Sequence, residues 1–192
     1  WPLDGDALDY SGNGYDGTME AGASFVAASG REGQALQVVR GTGNTGCMTV
    51  NLPSSYYIAS SDLTKESSGS FWVMFDDRLG EIPNPDWQTF MGPLPSMLYI
   101  SRNLNYNEIW TMVKRQDDAA NFWPQSGDNS VNNENTWYHL AWSHKPAIDG
   151  SGHHKWYING NLASTSGDTR ANYTTSGPLR VGCTYNGAST NV

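Results

Sequence analysis

The sequence predicts an all-β chain of short antiparallel strands, and three observations carry that prediction. Hydrophobic residues make up 38% and charged residues 16% of the 192 positions, a balance that fits neither a charge-rich disordered chain nor a Glu- and Lys-rich helical bundle. Eight Trp, ten Tyr and five Phe supply large apolar side chains. Gly, Ser, Thr and Asn together fill more than a third of the chain, so turn-forming residues interrupt the apolar runs every few positions. No internal repeat and no Pro- or Ser-rich linker divides the sequence, and the length predicts one domain spanning residues 1–192. A chain of this size buries roughly 70% of its unfolded surface, enough for a core without many covalent staples.

Roughly ten to twelve strands are expected. Gln34 to Arg40 sets Leu36 and Val38 against Gln37 and Val39, and Gly46 to Leu52 repeats the device with Met48, Val50 and Leu52; each reads as a strand with one buried face. Asp62 to Ser67 has the composition of a helical turn. Ser70 to Phe75 is apolar on both faces, which predicts a central strand covered on both sides or covered by a loop. Trp87 to Met91, Met97 to Ser101 and Glu108 to Lys114 follow as shorter strands, separated by Pro93, Pro95 and an Asn-rich turn at Asn103, Asn105 and Asn107. Trp137 to His144 places Tyr138, Leu140 and Trp142 on one face and Trp137, His139 and Ala141 on the other. Lys155 to Ile158 runs into Asn159-Gly160, the strongest short hairpin signal because both turn residues need positive φ. Asn161 to Ser164 is the returning strand.

Several segments, in order, resemble the laminin G-like branch of the concanavalin A-like jelly rolls. The opening from Trp1 to Thr18, with Asp9-Tyr10-Ser11-Gly12-Asn13-Gly14, looks like that family's first strand and its glycine-rich loop. Gly30-Arg31-Glu32-Gly33-Gln34-Ala35-Leu36 resembles a turn feeding the next strand. Phe71 to Phe75, Trp137 to Trp142, Trp156-Tyr157-Ile158-Asn159-Gly160 and Pro178-Leu179-Arg180-Val181-Gly182 complete the series. The resemblance implies a two-sheet antiparallel β-sandwich jelly roll with an extracellular recognition role. It also implies a further strand beyond the last of these segments, one that returns to pair beside the first. With the chain ending at Val192, the sheet edge beside Trp1 is expected to be open to a neighbouring chain. The wider fold also hosts glucanases, whose Glu-x-Asp-x-x-Glu strand is not present among the six scattered Glu residues.

Nineteen acidic against eleven basic residues give a net charge of −8 without a basic run. Nucleic acid and anionic membrane surfaces are therefore poor partners, since both need clustered Lys and Arg. No apolar run approaches the roughly 18 residues of a membrane span, and no charged-then-apolar leader opens the chain. Trp1 falls inside what reads as a strand, as in a mature or excised segment. Low pI with little Lys places the expected setting outside the cell, at a cell surface or at a virion surface.

Oxygen donors crowd the loop from Asp9 to Asp16, where Asp9, Asn13 and Asp16 have the composition that wraps a hard cation, calcium above all. The alternative is an Asx-turn, in which Asp9 and Asn13 bond their own backbone. Trp87, Tyr99, Tyr106, Trp110 and Trp123 lie among Asn103, Asn105, Asn107 and Asn121. Flat aromatics beside amides suit a sugar, whose ring face stacks while amides read its hydroxyls; the alternative is an ordinary sandwich core. Trp87, Tyr99, Asn103, Tyr106, Trp110 and Trp123 are the candidate ligand-binding set. His153-His154 reads as a polar hairpin entrance and His139 as a partnered residue on a half-buried strand, rather than as metal ligands. Asp76-Asp77 and Asp117-Asp118 point to opposite sides of an extended strand and make poor acid/base couples. Cys47 and Cys183 lack any metal-ligand or Cys-x-x-Cys spacing, which leaves one bridge on neighbouring strands or two buried thiols. Asn172-Tyr173-Thr174 is a glycosylation sequon.

These residues contain no catalytic constellation. The expected role is a lectin-like module that binds carbohydrate or a surface protein, with calcium in a structural role. The alternative is a structural subunit or decoration of a fibre, virion or other extracellular assembly, joined through an open sheet edge in a homo- or hetero-assembly. A glycan-cleaving enzyme ranks below both.

Overall fold

A computed structural model describes residues 1–28, 31–38, 46–54, 66–75, 87–92, 99–103, 106–114, 121–122, 124–128, 130–133, 135–145, 152–167 and 177–182; the side chains of residues 87–90, 112–114 and 121–122 also fall outside that description. Asp76-Asp77, Asp117-Asp118, Trp123, Asn105, Cys183 and the sequon at Asn172 lie outside the described residues, as does most of the Asp62 to Ser67 turn, whose last residue opens a strand.

Thirteen strands are described: β1 (Gly17–Met19), β2 (Ala23–Ala27), β3 (Gln34–Val38), β4 (Met48–Val50), β5 (Ser67–Met74), β6 (Trp87–Gly92), β7 (Tyr99–Asn103), β8 (Glu108–Lys114), β9 (Asn121–Phe122), β10 (Trp137–Lys145), β11 (His153–Ile158), β12 (Asn161–Ser166) and β13 (Leu179–Val181). Every pairing is antiparallel. The large sheet runs β1-β4-β13-β6-β7-β8-β9, the small sheet β12-β11-β10-β5, and β2 and β3 form a separate hairpin. No helix among the described residues is long and apolar enough to cross a membrane.

The two larger sheets face one another as a sandwich. Strand β10 shows why: its burial alternates strictly, with Tyr138, Leu140, Trp142 and His144 buried and the residues between them only partly so. Tyr138, Leu140 and Trp142 join Phe75 and Trp156 with Met48, Val50, Ile100, Ile109 and Leu179 from the large sheet in a single core. Arg102 crosses the gap, its guanidinium 4.6 Å from the Phe75 ring centre and its Nη2 donating to Asn107 Oδ1 at 2.8 Å and to the Val131 carbonyl at 3.0 Å. Gly69 stands opposite Trp142 in register, and the indole occupies the space a Cβ would fill. The Asn159-Gly160 turn has φ of 50° and 80°, the left-handed pair its sequence demands.

Some expectations need correction. Ser70 to Phe75 is not a central strand: β5 pairs with β10 alone among the described strands, and of the two covers expected for its outer side the loop is the one present, with Arg31 of the β2–β3 turn over Trp72, which stays 47% exposed. Phe71 and Val73 fill the inner side, so the outward Trp72 mimicked a second buried face. Trp1 is not in a strand. Residues 1–16 hold bends and one turn between irregular stretches, the Trp1 indole N–H donates to the Tyr15 carbonyl at 2.6 Å, and the first strand begins at Gly17. His154 is not at a polar entrance but fully buried inside β11. Cys47 is buried and disulfide-bonded, and Cys183 is the only other cysteine in the chain. Consistent with a bridge on neighbouring strands, the strand that follows Cys47 pairs Met48 with Val181.

Candidate functional site

Antiparallel register gathers the predicted aromatic and amide residues on the large sheet. Ile100 pairs with Thr111 and Arg102 with Ile109 on the core side. The intervening positions, Tyr99, Ser101 and Asn103 on β7 with Glu108 and Trp110 on β8, therefore share the opposite side. Trp87 lies opposite Asn103 in backbone register. The Trp110 indole N–H donates to Glu108 Oε1 at 2.5 Å, while Glu108 Oε2 has no partner. Burial pushes the Glu108 carboxyl above its ordinary value, with the indole bond opposing and Asp128 reinforcing. Asn103 is only 3% and Glu108 1% exposed, so Asn103 does not meet solvent as an amide that reads a sugar must. Tyr106, in the β7–β8 turn, is 52% exposed, and Trp110 and Tyr99 are half-buried. Asn107 supplies a left-handed turn residue with φ 49°.

A second aromatic surface escaped the sequence reading. On the outer side of the small sheet Trp72 and His139 are cross-strand partners with ring centres 5.0 Å apart. The Arg31 guanidinium lies 3.9 Å from the Trp72 ring centre and 5.9 Å from that of Trp137. This arrangement holds an exposed indole between a cation and an imidazole, and it presents apolar ring beside N–H donors. Trp72 was hidden in sequence by its own strand, since a run of apolar residues does not tell which of two faces is wet. His139 is half-buried and partnered, as its position in the strand predicts.

The Asp9 loop is closed by its own hydrogen bonds. Asp9 accepts from the Ser11 amide at 2.9 Å and the Tyr15 amide at 3.0 Å, Asp16 accepts from the Asp9 amide at 2.7 Å, and Asn13 Nδ2 donates to Ser11 Oγ at 2.8 Å. The Ser11 hydroxyl first, then these amides, hold the Asp9 carboxyl below its ordinary value. That is the Asx-turn geometry at Asp9, whereas the Asn13 side chain bonds the Ser11 hydroxyl and not the backbone. Leu8, Asp9, Tyr10, Gly12, Gly14 and Asp16 also line an open depression of about 340 Å³, which leaves room for an ion or a ligand beside the two carboxylates. Among the described residues no cluster of three or more His, Cys, Asp or Glu side chains is arranged to hold a metal.

His144 and His154 face each other across β10 and β11, both essentially inaccessible, with Nδ1 atoms 3.3 Å apart. His154 Nε2 lies 3.4 Å from Thr111 Oγ1 on the large sheet, so the pair ties the two sheets together. Burial pushes the His144 imidazole down to about 4, with nearby His153 adding to it. Burial likewise pushes His154 well below its ordinary value, helped by His144 and His153.

No protein-family model matches the chain and no curated protein matches it. Solved structures share its fold. The binding domain of Paraclostridial Mosquitocidal Protein 1 is similar with a TM-score of 0.68 and 16% identity, over 94% of this chain and 42% of the other. A structure of botulinum neurotoxin type C, whose cell entry depends upon interaction with two ganglioside molecules, gives 0.64 and 15% over 96% and 42%. Domain 4 of AbnA, an extracellular GH43 arabinanase from Geobacillus stearothermophilus in complex with arabinotriose, gives 0.55 and 18% over 94% and 79%. The chain spans less than half of each toxin chain. At these identities the likeness is one of fold, an all-β antiparallel sandwich found in binding domains.

Proposed function

We propose that this chain is a non-catalytic, lectin-like recognition module of laminin G-like, concanavalin A-like jelly-roll type, acting outside the cell or on a cell or virion surface. The observation that carries the reading is Trp72. A large indole left 47% exposed on a sheet face, with the Arg31 guanidinium over one side of the ring and His139 next to it, joins flat apolar surface to convergent polar groups, the mix that packs against a sugar ring and reads its hydroxyls. Trp110, Tyr99 and Tyr106 on the large sheet form a second aromatic set. The AbnA domain bound to arabinotriose and the ganglioside interaction of the type C neurotoxin support carbohydrate as the ligand class. A surface protein carrying such glycans is the natural macromolecular partner.

Calcium belongs to the proposal as a structural ion at Asp9, Asn13 and Asp16. An ionised Asp9 beside Asp16 and an open depression supports it, and the metal would add a rigid anchor to a loop now closed by amide bonds. A second reading has one specific observation in its favour: β5 pairs on one side only among the described strands. An edge of eight residues offers a template for strand addition in an assembly.

A glycan array probed with the purified chain, in calcium and in chelator, tests the reading. Binding to a defined set of glycans is expected. Silence in both buffers, together with a concentration-dependent rise in mass by light scattering, would transfer the argument to assembly.

A further inference from the structure

We infer, resting on the carbohydrate reading of Trp72 proposed above, that the sugar held there is an acidic one and that Arg31 binds its carboxylate. The strands of the small sheet set the charge of the face. Nineteen residues of the chain are acidic, yet β5, β10, β11 and β12 contain no Asp or Glu. They contain instead Lys145, Lys155 and all four histidines. Alternation and register put His139, Lys145 and Lys155 on the same outward side as Trp72. Glu66, just ahead of β5, answers Lys145 with an ion pair of 3.6 Å. Arg31 and Lys155 remain as cations without an acidic partner among the described residues. On a chain of net charge −8 this is a face that attracts an anion.

The turn from β2 to β3 fixes where Arg31 stands. Its amide donates to the Ala28 carbonyl at 2.9 Å, and the Ala28 amide donates to the Gly33 carbonyl at 3.1 Å. Asp4 packs where a Cβ on Gly33 would stand and accepts the Gln34 amide at 2.7 Å. Glu32, next in the turn, is exposed and makes no ion pair with Arg31. The guanidinium itself is held through its contacts with the Trp72 ring at 3.9 Å and the Trp137 ring at 5.9 Å. A ring contact uses none of the five N–H donors, and among the described residues they have no acceptor.

An exposed guanidinium placed in this way matches the two oxygens of a carboxylate, which accept two parallel N–H bonds from its fork. A hydroxyl offers that fork one oxygen and no charge. A sulfate ester carries charge but is a far weaker base than a carboxylate, and so a weaker acceptor. Nucleic acid and densely sulfated polymers need clustered cations, and this face has two without partners. A sugar with a carboxylate fits both halves of the site, its ring against the exposed part of the Trp72 indole and its acid on Arg31.

The test is calorimetric titration of the 192-residue chain with 3′-sialyllactose and with tetragalacturonic acid, each beside its methyl ester, and with lactose 3′-sulfate. The esters keep every ring and hydroxyl of the sugar and lose only the charge. At least one acid should bind about tenfold more tightly than its ester, the worth of one charge-assisted contact, and more tightly than the sulfate. Arg31→Gln should bring that acid down to the affinity of its ester, and Arg31→Lys, which keeps the charge without the fork, should fall between. Trp72→Ala should weaken acid and ester alike. Equal binding of acid and ester, a preference for the acid that survives Arg31→Gln, tighter binding of the sulfate, or no binding of either acid would each overturn the assignment. In each of these cases the carbohydrate reading stands if neutral glycans still bind through Trp72. Ester binding that is indifferent to Trp72→Ala would refute that reading instead.

Discussion

Acidification from pH 7 to pH 5 should weaken this fold, and the His144–His154 pair sets by how much. In the unfolded chain an imidazole titrates near 6.5, while in the fold His144 is pushed down to about 4 because burial penalises its charged form. The sign follows from proton counting. Between these values the unfolded chain binds more protons than the folded one, so stability is full above about pH 6.5 and is lost as pH falls toward 4. The His144 contribution alone is about 3 kcal/mol at full extent and about 2 kcal/mol by pH 5; His154, shifted in the same direction, adds to it. A loss of 2 kcal/mol lowers the Tm by about 4–8 °C in a chain of this size. The groups around the pair are His153 and Lys145 at the sheet end, Glu66 just ahead of β5, Thr111 from the large sheet and the Trp156 ring against His154. Glu108 acts with the opposite sign: its carboxyl is raised, so falling pH favours the fold there. A Glu108→Gln background removes that opposition. Urea denaturation followed by tryptophan fluorescence at pH 7, 6 and 5 reads the effect. In the double variant H144L/H154F the difference between pH 7 and pH 5 should shrink by at least about 2 kcal/mol, whatever the variant's absolute stability. A wild-type free energy that does not change over this range, or an equal dependence in the double variant, would refute the reasoning.

Further outcomes follow from single features of the fold. Gly69→Ala should cost about 1–3 kcal/mol, because the new Cβ meets the Trp142 indole; a denaturation midpoint unchanged from wild type would contradict that packing. Reduction of the Cys47 disulfide should lower stability by about 2–4 kcal/mol, read as a drop in Tm on adding reductant, and an identical melting curve would remove the bridge from the account. If the Asp9 loop holds calcium, excess chelator should lower the Tm and Asp9→Ala should erase the difference between the two buffers; a melting curve indifferent to calcium and chelator would leave the loop to its amide bonds alone.

How far the sequence speaks depends on which physical signal each element carries. Strands with one buried face were legible from period-two alternation: Trp137 to His144 and Glu108 to Lys114 coincide with β10 and β8 to within a residue, and Asn159-Gly160 forms the hairpin it demands. The ligand set was legible only in part. Register brings Tyr99, Asn103 and Trp110 to one side of the large sheet, but exposure is a tertiary property, and Asn103 is buried where a reader of sugars would be wet. Trp72 was misread for the same reason in reverse, since nothing in the run Phe71 to Phe75 marks which side lacks a covering layer. The short strands β1 and β9 carry few apolar residues, and β2, apolar at four of its five positions, shows little alternation. The facing of His144 and His154 needs the β10–β11 register, in which residues ten apart in sequence become cross-strand partners.

Carbohydrate binding at Trp72 on the small sheet is the proposal to test first. The most direct measurement is isothermal titration calorimetry of the best glycan from the array against the wild-type chain, Trp72→Ala and Trp110→Ala, all shown folded by circular dichroism. Trp72→Ala should weaken binding by about tenfold or more, the worth of one aromatic–sugar stacking contact, while Trp110→Ala should bind as the wild type does. Unchanged affinity in Trp72→Ala with loss in Trp110→Ala would exclude Trp72 and move the site to the large sheet.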